Sequence, residues 1–165
     1  MIEYHGRTDI GMRRSLNEDT IFADGTLFVV CDGMGGHKAG EVASLLAVEA
    51  IKSFVKRSEE DPELTWPFGF DVRLRFNANR LRTAIRLANH VIVRKAASSE
   101  NYTGMGTTVA AALISPGRSV MTFGHVGDSR IYALSGGEIV HGELDDLATA
   151  EGVDPAVADM AERHH

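Results

Sequence analysis

The segment from Leu27 to His37 holds the residues of this chain that are best suited to chemistry. An apolar run over residues 27–31 ends in Asp32, and a glycine-rich stretch follows as far as Gly40. The run contains no lysine or arginine, and a carboxylate at the end of a buried strand is costly unless something pairs with it. A bound metal cation is the simplest explanation of Asp32.

Three further clusters contain polar groups that such a site could use. Arg14, Glu18 and Asp19 precede a predicted strand, residues 104–108 open another, and Asp128 follows a third. Each cluster alone could be purely structural, as a polar loop, a bulge or an Asx-turn. Oxygen ligands without clustered cysteine or histidine favour Mg²⁺ or Mn²⁺ over Zn²⁺.

A nucleotide-binding loop is the competing interpretation of the glycine-rich stretch, and its residue types argue against it. A phosphate-binding loop needs lysine followed by serine or threonine, whereas Lys38 is followed by Ala39. Lys38 also occupies the place of the third glycine in the dinucleotide fingerprint. Asp32 would repel a phosphate directly unless a cation lay between them.

The hydrophobic pattern predicts the elements that must position these residues. Strands at residues 20–23 and 26–31 form a predicted hairpin, and further strands are expected at residues 107–114, 119–126, 130–134 and 138–140. Apolar spacing of three and four predicts helices over Glu41–Arg57 and from Asp71 onward. The 5 arginines between residues 73 and 86 are expected on a solvated face. Strands kept apart from helices indicate an α+β fold.

Length, charge and cysteine content narrow the class of protein. The 165 residues fit one domain with a substantial core, and a formal charge of −6 argues against nucleic acid or an anionic membrane as partner. No apolar run is long enough to span a bilayer, and the first residues lack an apolar signal region. The lone Cys31 cannot form an internal disulfide. We therefore expect a cytoplasmic protein.

Taken in order, four motifs resemble the metal-dependent protein serine/threonine phosphatases of type 2C, the PPM family, in their bacterial form. The motifs lie at residues 11–19, 30–37, 104–108 and 126–132, and the resemblance extends over roughly residues 8–140. It implies a four-layer α/β/β/α sandwich of two antiparallel sheets flanked by helices. It also implies hydrolysis of phosphoserine and phosphothreonine in proteins, opposing a serine/threonine kinase.

The resemblance further implies a site with two Mn²⁺ or Mg²⁺ ions and a weaker third. A hydroxide held between the two ions would attack phosphorus. Asp32 would bridge the two ions, and the Gly33 carbonyl would bind one of them. Asp19, with Glu18, would bind metal directly or through water, and Asp128 would help to hold the third ion.

Two residues are implied for the phosphate and the leaving group. Arg14 would clamp the phosphate, because a planar guanidinium can donate two hydrogen bonds at once. His37 lies where a general acid for the leaving alkoxide could sit.

The sequence departs from the family pattern at its C-terminal end. Family members continue with strands that carry two more metal-binding aspartates, and nothing after Val140 supplies them. Residues 1–142 are thus predicted to be the N-terminal portion of a catalytic domain, C-terminally incomplete. Residues 143–165 are predicted to be an acidic, helix-prone tail or flap remnant.

Three explanations of this departure stay open. The chain is a truncated form of a full phosphatase, it is a shortened paralogue that binds without catalysing, or Asp145, Asp146 or Asp154 substitutes as a ligand. The alternative function is accordingly a catalytically weak or inactive phospho-binding or regulatory module of the same family.

Overall fold

A computed structural model of the chain describes residues 3–12, 15–35, 39–115, 120–135 and 138–140. Two long helices, α1 (Ala39–Glu60) and α2 (Phe76–Ala96), are followed by one short 3-10 helix at Glu100–Tyr102. The strands, in chain order, are β1 (Asp19–Ala23), β2 (Leu27–Met34), β3 (Gly106–Thr107), β4 (Val109–Ile114), β5 (Met121–Val126), β6 (Ala133–Ser135) and β7 (Glu138–Val140).

The main sheet is antiparallel throughout. Its strand order is β1-β2-β4-β5, with β3 pairing to the end of β2, while β6 and β7 form a separate two-stranded sheet. Helix α1 packs on β1 and β2, helix α2 packs on β4 and β5, and the two helices pack on each other. The predicted α+β class is confirmed.

The side chains of strand β2 alternate between a buried and a more exposed face of the sheet. Leu27, Val29 and Cys31 are at most 2% exposed and belong to the core beneath the helices. The alternate residues lie on the other face, where Val30 is 47% exposed. Since successive side chains of a strand point to opposite faces, Asp32 also lies on the face away from the helices.

The second helix begins five residues later than the pattern predicts, because local polar contacts take the place of its first turn. Asp71 N–H donates to Asn79 Oδ1 at 2.8 Å, and Asn79 Nδ2 donates back to the Asp71 carbonyl at 2.9 Å. Asp71 Oδ1 also accepts the Arg73 N–H at 3.0 Å. Short polar side chains that bond the backbone in this way compete with helix formation.

Arg80 is buried at the junction of the two helices, contrary to the expectation of a solvated arginine face. It is 3% exposed, and its Nε donates to Ser58 Oγ at 2.8 Å. Its Nη2 donates to the Val55 carbonyl at 2.7 Å and lies 2.7 Å from Glu59 Oε1. These contacts join the end of α1 to the start of α2.

Three of the predicted strands are interrupted or begin later than expected. The strand expected at residues 107–114 is divided at Thr108 into β3 and β4. The strands expected at residues 119–126 and 130–134 begin at Met121 and Ala133. Neither helix in the described ranges has an apolar stretch of the length that a membrane crossing requires.

Candidate metal centre

Asp19 and Asp32 lie directly opposite each other at the end of the β1–β2 hairpin. Directly opposed residues of an antiparallel pair carry their side chains on the same face, with Cβ atoms about 4.5–5.5 Å apart. Two like charges in this arrangement repel each other. The hairpin therefore presents a carboxylate pair that a divalent cation would stabilise.

The Asp19 side chain is oriented by a short chain of hydrogen bonds. Thr8 Oγ1 donates to Asp19 Oδ2 at 3.0 Å, and Asn17 Nδ2 donates to Thr8 Oγ1 at 2.8 Å. Asn17 Oδ1 in turn accepts the Asp19 N–H at 3.0 Å. One carboxylate oxygen of Asp19 thus has a neutral hydroxyl donor.

The peptide group between Asp32 and Gly33 is held at both ends. The Asp32 carbonyl accepts the Thr108 N–H and the Thr107 hydroxyl, each at 2.9 Å. The Gly33 N–H donates to the Glu18 carbonyl at 3.1 Å. The backbone that carries both Asp32 and the Gly33 carbonyl is therefore fixed from two neighbouring segments.

Glu18 lies on the opposite side of the hairpin end from Asp19, against the start of α1. A β-carbon at Gly40 would lie 2.5 Å from Glu18 Oε1, and one at Gly33 would collide with the Gly40 carbonyl. Ser44 Oγ, on the buried face of α1, donates to the Glu18 carbonyl at 2.6 Å. Only glycines at positions 33 and 40 allow this close approach of helix and strand.

Asp128 lies in the turn after β5, at the same end of the sheet. Ser129 Oγ is 2.6 Å from Thr108 Oγ1, which also accepts the Asp32 N–H at 3.1 Å. Arg130 Nη1 donates to the Asp128 carbonyl at 2.7 Å. Asp128 is thus connected to the Asp32 backbone through two side-chain hydroxyls.

The oxygen donors at this end of the sheet are of the type that a hard divalent cation binds. Mg²⁺ keeps several waters and takes one or two carboxylates from the protein, so the Asp19–Asp32 pair is a normal protein contribution. Among the residues that the structure describes, no three or more His, Cys, Asp or Glu side chains gather into a group able to hold a metal. Glu18 and Asp128 flank the pair without completing such a group.

Arg14 and His37 lie outside the described residues, as do Asp145, Asp146, Asp154 and the predicted tail at residues 143–165. Their roles, and the boundary after residue 142, stay predictions.

Several supporting residues were not identified from the sequence. Thr8, Ser44, Thr108 and Ser129 contact the candidate ligands or their backbone. The one available signal is that Thr108 and Ser129 lie inside two of the four motifs, which a bulge and an Asx-turn would explain equally well.

Comparison with known proteins connects this site to a family. The family model described as protein phosphatase 2C matches residues 12–150. The serine/threonine protein phosphatase PstP of Mycobacterium tuberculosis is 34% identical over 164 residues, which are 99% of this chain and 29% of that protein. The serine/threonine phosphatase stp of Listeria monocytogenes is 37% identical over 138 residues, covering 78% of this chain and 48% of that protein.

A solved structure gives the same relationship. The catalytic domain of the phosphatase PstP, in complex with two manganese ions, aligns with a TM-score of 0.66 and 34% identity. The alignment covers 90% of this chain and 59% of that structure. The chain spans about half or less of the length of the curated relatives named above. With its motifs and fold in agreement, the chain belongs to the protein phosphatase 2C family.

Proposed function

We propose that the chain acts as a metal-dependent protein serine/threonine phosphatase. The observation that carries the proposal is the Asp19–Asp32 pair, opposed on one face of the sheet beside the fixed Asp32–Gly33 peptide. The complex of the related PstP catalytic domain with two manganese ions supports a site of this kind.

The proposed ligands are Asp19, Asp32 and the Gly33 carbonyl, with Glu18 contributing directly or through water and Asp128 serving a weaker third ion. When bound, Mn²⁺ or Mg²⁺ supplies a water of lowered pKa and neutralises charge on the phosphate. The hairpin contributes the two opposed carboxylates, and Gly33 and Gly40 allow the start of α1 and the Glu18 side chain to pack against the strand end that carries them.

Arg14 and His37 complete the proposed site. Arg14 would bind the phosphate oxygens through two parallel N–H donors, which fixes the direction in which phosphorus faces the hairpin. His37 would give its imidazolium proton to the departing serine or threonine oxygen. Both roles rest on the positions of these residues in the family motifs.

The proposed substrates are proteins that carry phosphoserine or phosphothreonine, in opposition to a serine/threonine kinase. The two relatives described above are both named serine/threonine phosphatases, which supports this substrate class. A cytoplasmic location stays a prediction from the composition.

The alternative, a phospho-binding module with little turnover, is favoured by one observation: the described residues gather a pair of carboxylates and no larger group. Such a module would bind Mn²⁺ and a phosphopeptide without releasing phosphate. The phosphatase experiment distinguishes the two functions.

The test is release of phosphate from a phosphothreonine peptide, measured with the 165-residue chain in the presence of Mn²⁺. We expect hydrolysis that EDTA abolishes and that Asp32→Asn lowers by more than about 100-fold. Changes to groups that only support a metal ligand already cost about 10–100-fold in activity, so loss of the ligand itself should cost more.

The matched control is Asp24→Asn at the opposite end of the same hairpin. Asp24 Oδ1 accepts the N–H groups of Thr26 and Leu27, and asparagine keeps that acceptor. Its activity should equal that of the wild type. Hydrolysis that resists EDTA or survives Asp32→Asn would refute the metal mechanism, and binding without turnover would favour the alternative.

A further inference from the structure

The strand ladder changes its hydrogen bonding at Asp32. Strand β2 pairs Gly33 with Thr107 and Val30 with Ala110, and both pairings share one register, which places Thr108 opposite Asp32. A regular antiparallel pair at this point exchanges two main-chain hydrogen bonds. One of them is present, from the Thr108 N–H to the Asp32 carbonyl at 2.9 Å.

The Thr108 side chain takes over the second bond. Asp32 N–H donates to Thr108 Oγ1 at 3.1 Å. The Thr108 carbonyl lies 3.0 Å from Thr107 Oγ1, whose one proton is shared between this carbonyl and that of Asp32. This exchange coincides with the interruption between β3 and β4. A side-chain hydroxyl thus sits inside the ladder and is bonded to the backbone of Asp32.

The same hydroxyl connects to the turn that carries Asp128. Thr108 is 3% exposed, and its Oγ1 lies 2.6 Å from Ser129 Oγ. A hydroxyl oxygen has two lone pairs and one proton, so it can accept from Asp32 and donate to Ser129 together. Gly127, at φ 89°, brings the turn close, because a β-carbon there would lie 2.8 Å from Thr108 Cγ2.

We propose that Thr108, with Ser129, is a positioning residue that sets the affinity of the site for its divalent cation. It holds the backbone of Asp32 and the turn of Asp128 in one fixed relation, although neither hydroxyl is a proposed metal ligand. This inference rests on the proposed function. It adds two residues that hold the proposed metal ligands in position.

The test is Mn²⁺ affinity of the 165-residue chain, measured from the free-ion signal in electron paramagnetic resonance titrations. Thr108→Val has nearly the shape of threonine and can neither accept nor donate. We expect it to weaken Mn²⁺ binding about 10–100-fold, the range for groups that support metal ligands. Thr108→Ser keeps the hydroxyl and should restore the wild-type affinity.

The matched control is Thr83→Val in α2. Thr83 is fully buried, and its hydroxyl has no hydrogen-bond partner within the described part of the molecule. The same chemical change there should leave Mn²⁺ affinity unaltered. Urea unfolding of each variant confirms that affinity is compared among folded proteins.

Ser129→Ala provides a second approach in case Thr108→Val does not fold. It removes only the hydroxyl partner of Thr108 and should also weaken Mn²⁺ binding. The double variant should bind Mn²⁺ with the same affinity as Thr108→Val, because both substitutions break the same link. Wild-type affinity in Ser129→Ala and Thr108→Val, or an equal loss in Thr83→Val, would overturn the inference. Absence of Mn²⁺ binding in the wild type would instead refute the proposed function and this inference with it.

Discussion

Cys31 and Asp32 are neighbours on β2 whose side chains occupy opposite environments. The Cys31 thiol is fully buried in the core, and burial raises its pKa to about 12. Asp32 lies on the other face, beside Asp19. One peptide step therefore separates the hydrophobic core from the candidate metal centre, so the core packing of Cys31 directly constrains where Asp32 stands.

The raised pKa predicts a specific loss of stability at high pH. In the unfolded chain the thiol ionises near its ordinary pKa of 9.0, whereas in the folded chain it stays protonated up to about 12. The folded state then binds more protons, so the free energy of unfolding falls as pH rises between these values, by up to about 1.4 kcal/mol per pH unit.

Urea unfolding from about pH 8 to about pH 11 measures this slope. Cys31→Ala should remove this part of the pH dependence, while Val29→Ala, which truncates an equally buried neighbour, should keep it. If the free energy of unfolding had the same pH dependence in the wild type and in Cys31→Ala, the thiol would have the same pKa in the folded and unfolded chain.

At the scale of elements, the contact between β2 and α1 depends on two glycines. Gly33 and Gly40 bring the strand end and the helix start into backbone contact, with the Glu18 carboxylate beside them. A methyl group at either position must displace backbone or the candidate ligand, since no free space is available.

Gly40→Ala should lower the free energy of unfolding by about 1–3 kcal/mol, the usual cost of overpacking, as measured by urea denaturation. Gly106→Ala is the control, because its new β-carbon would only touch Met34 Cγ at 3.5 Å. If both variants were equally stable, the proposed tight contact between α1 and β2 would be contradicted.

The sequence predicted those elements whose signals are local. The hairpin around Asp24 and the apolar spacing of α1 depend on neighbours in the chain, and both are present. The start of α2 and the interruption at Thr108 depend on side chains that reach distant backbone: Asn79 to Asp71, and Thr108 to Asp32 across 76 positions. No periodicity records such contacts, so they could not be predicted.

The candidate site divides in the same way between local and distant contacts. The motifs name Asp19 and Asp32 as candidate ligands, and the local hairpin places the two residues opposite each other. The position of Glu18 against α1, and the contact of the Asp128 turn with Thr108 through Ser129, depend on tertiary packing that the sequence pattern does not record.

At the scale of the whole molecule, the helices cover one face of the sheet and the candidate centre lies at the edge of the other. That second face carries exposed apolar side chains on two strands, Val30 at 47% and Met121 at 48%. This chain covers 59% of the longer PstP catalytic domain with which it aligns. The proposed function depends on the Asp19–Asp32 pair, which lies on the sheet face away from the helices.

The most direct measurement is calorimetric titration of Mn²⁺ into the wild-type chain and into Asp32→Asn, Asp19→Asn and the control Asp24→Asn. We expect saturable Mn²⁺ binding in the wild type and the control. We expect its loss in both variants of the carboxylate pair, since each removes an anionic ligand from a hard cation. Unchanged Mn²⁺ affinity in Asp32→Asn and Asp19→Asn would contradict the proposed metal site.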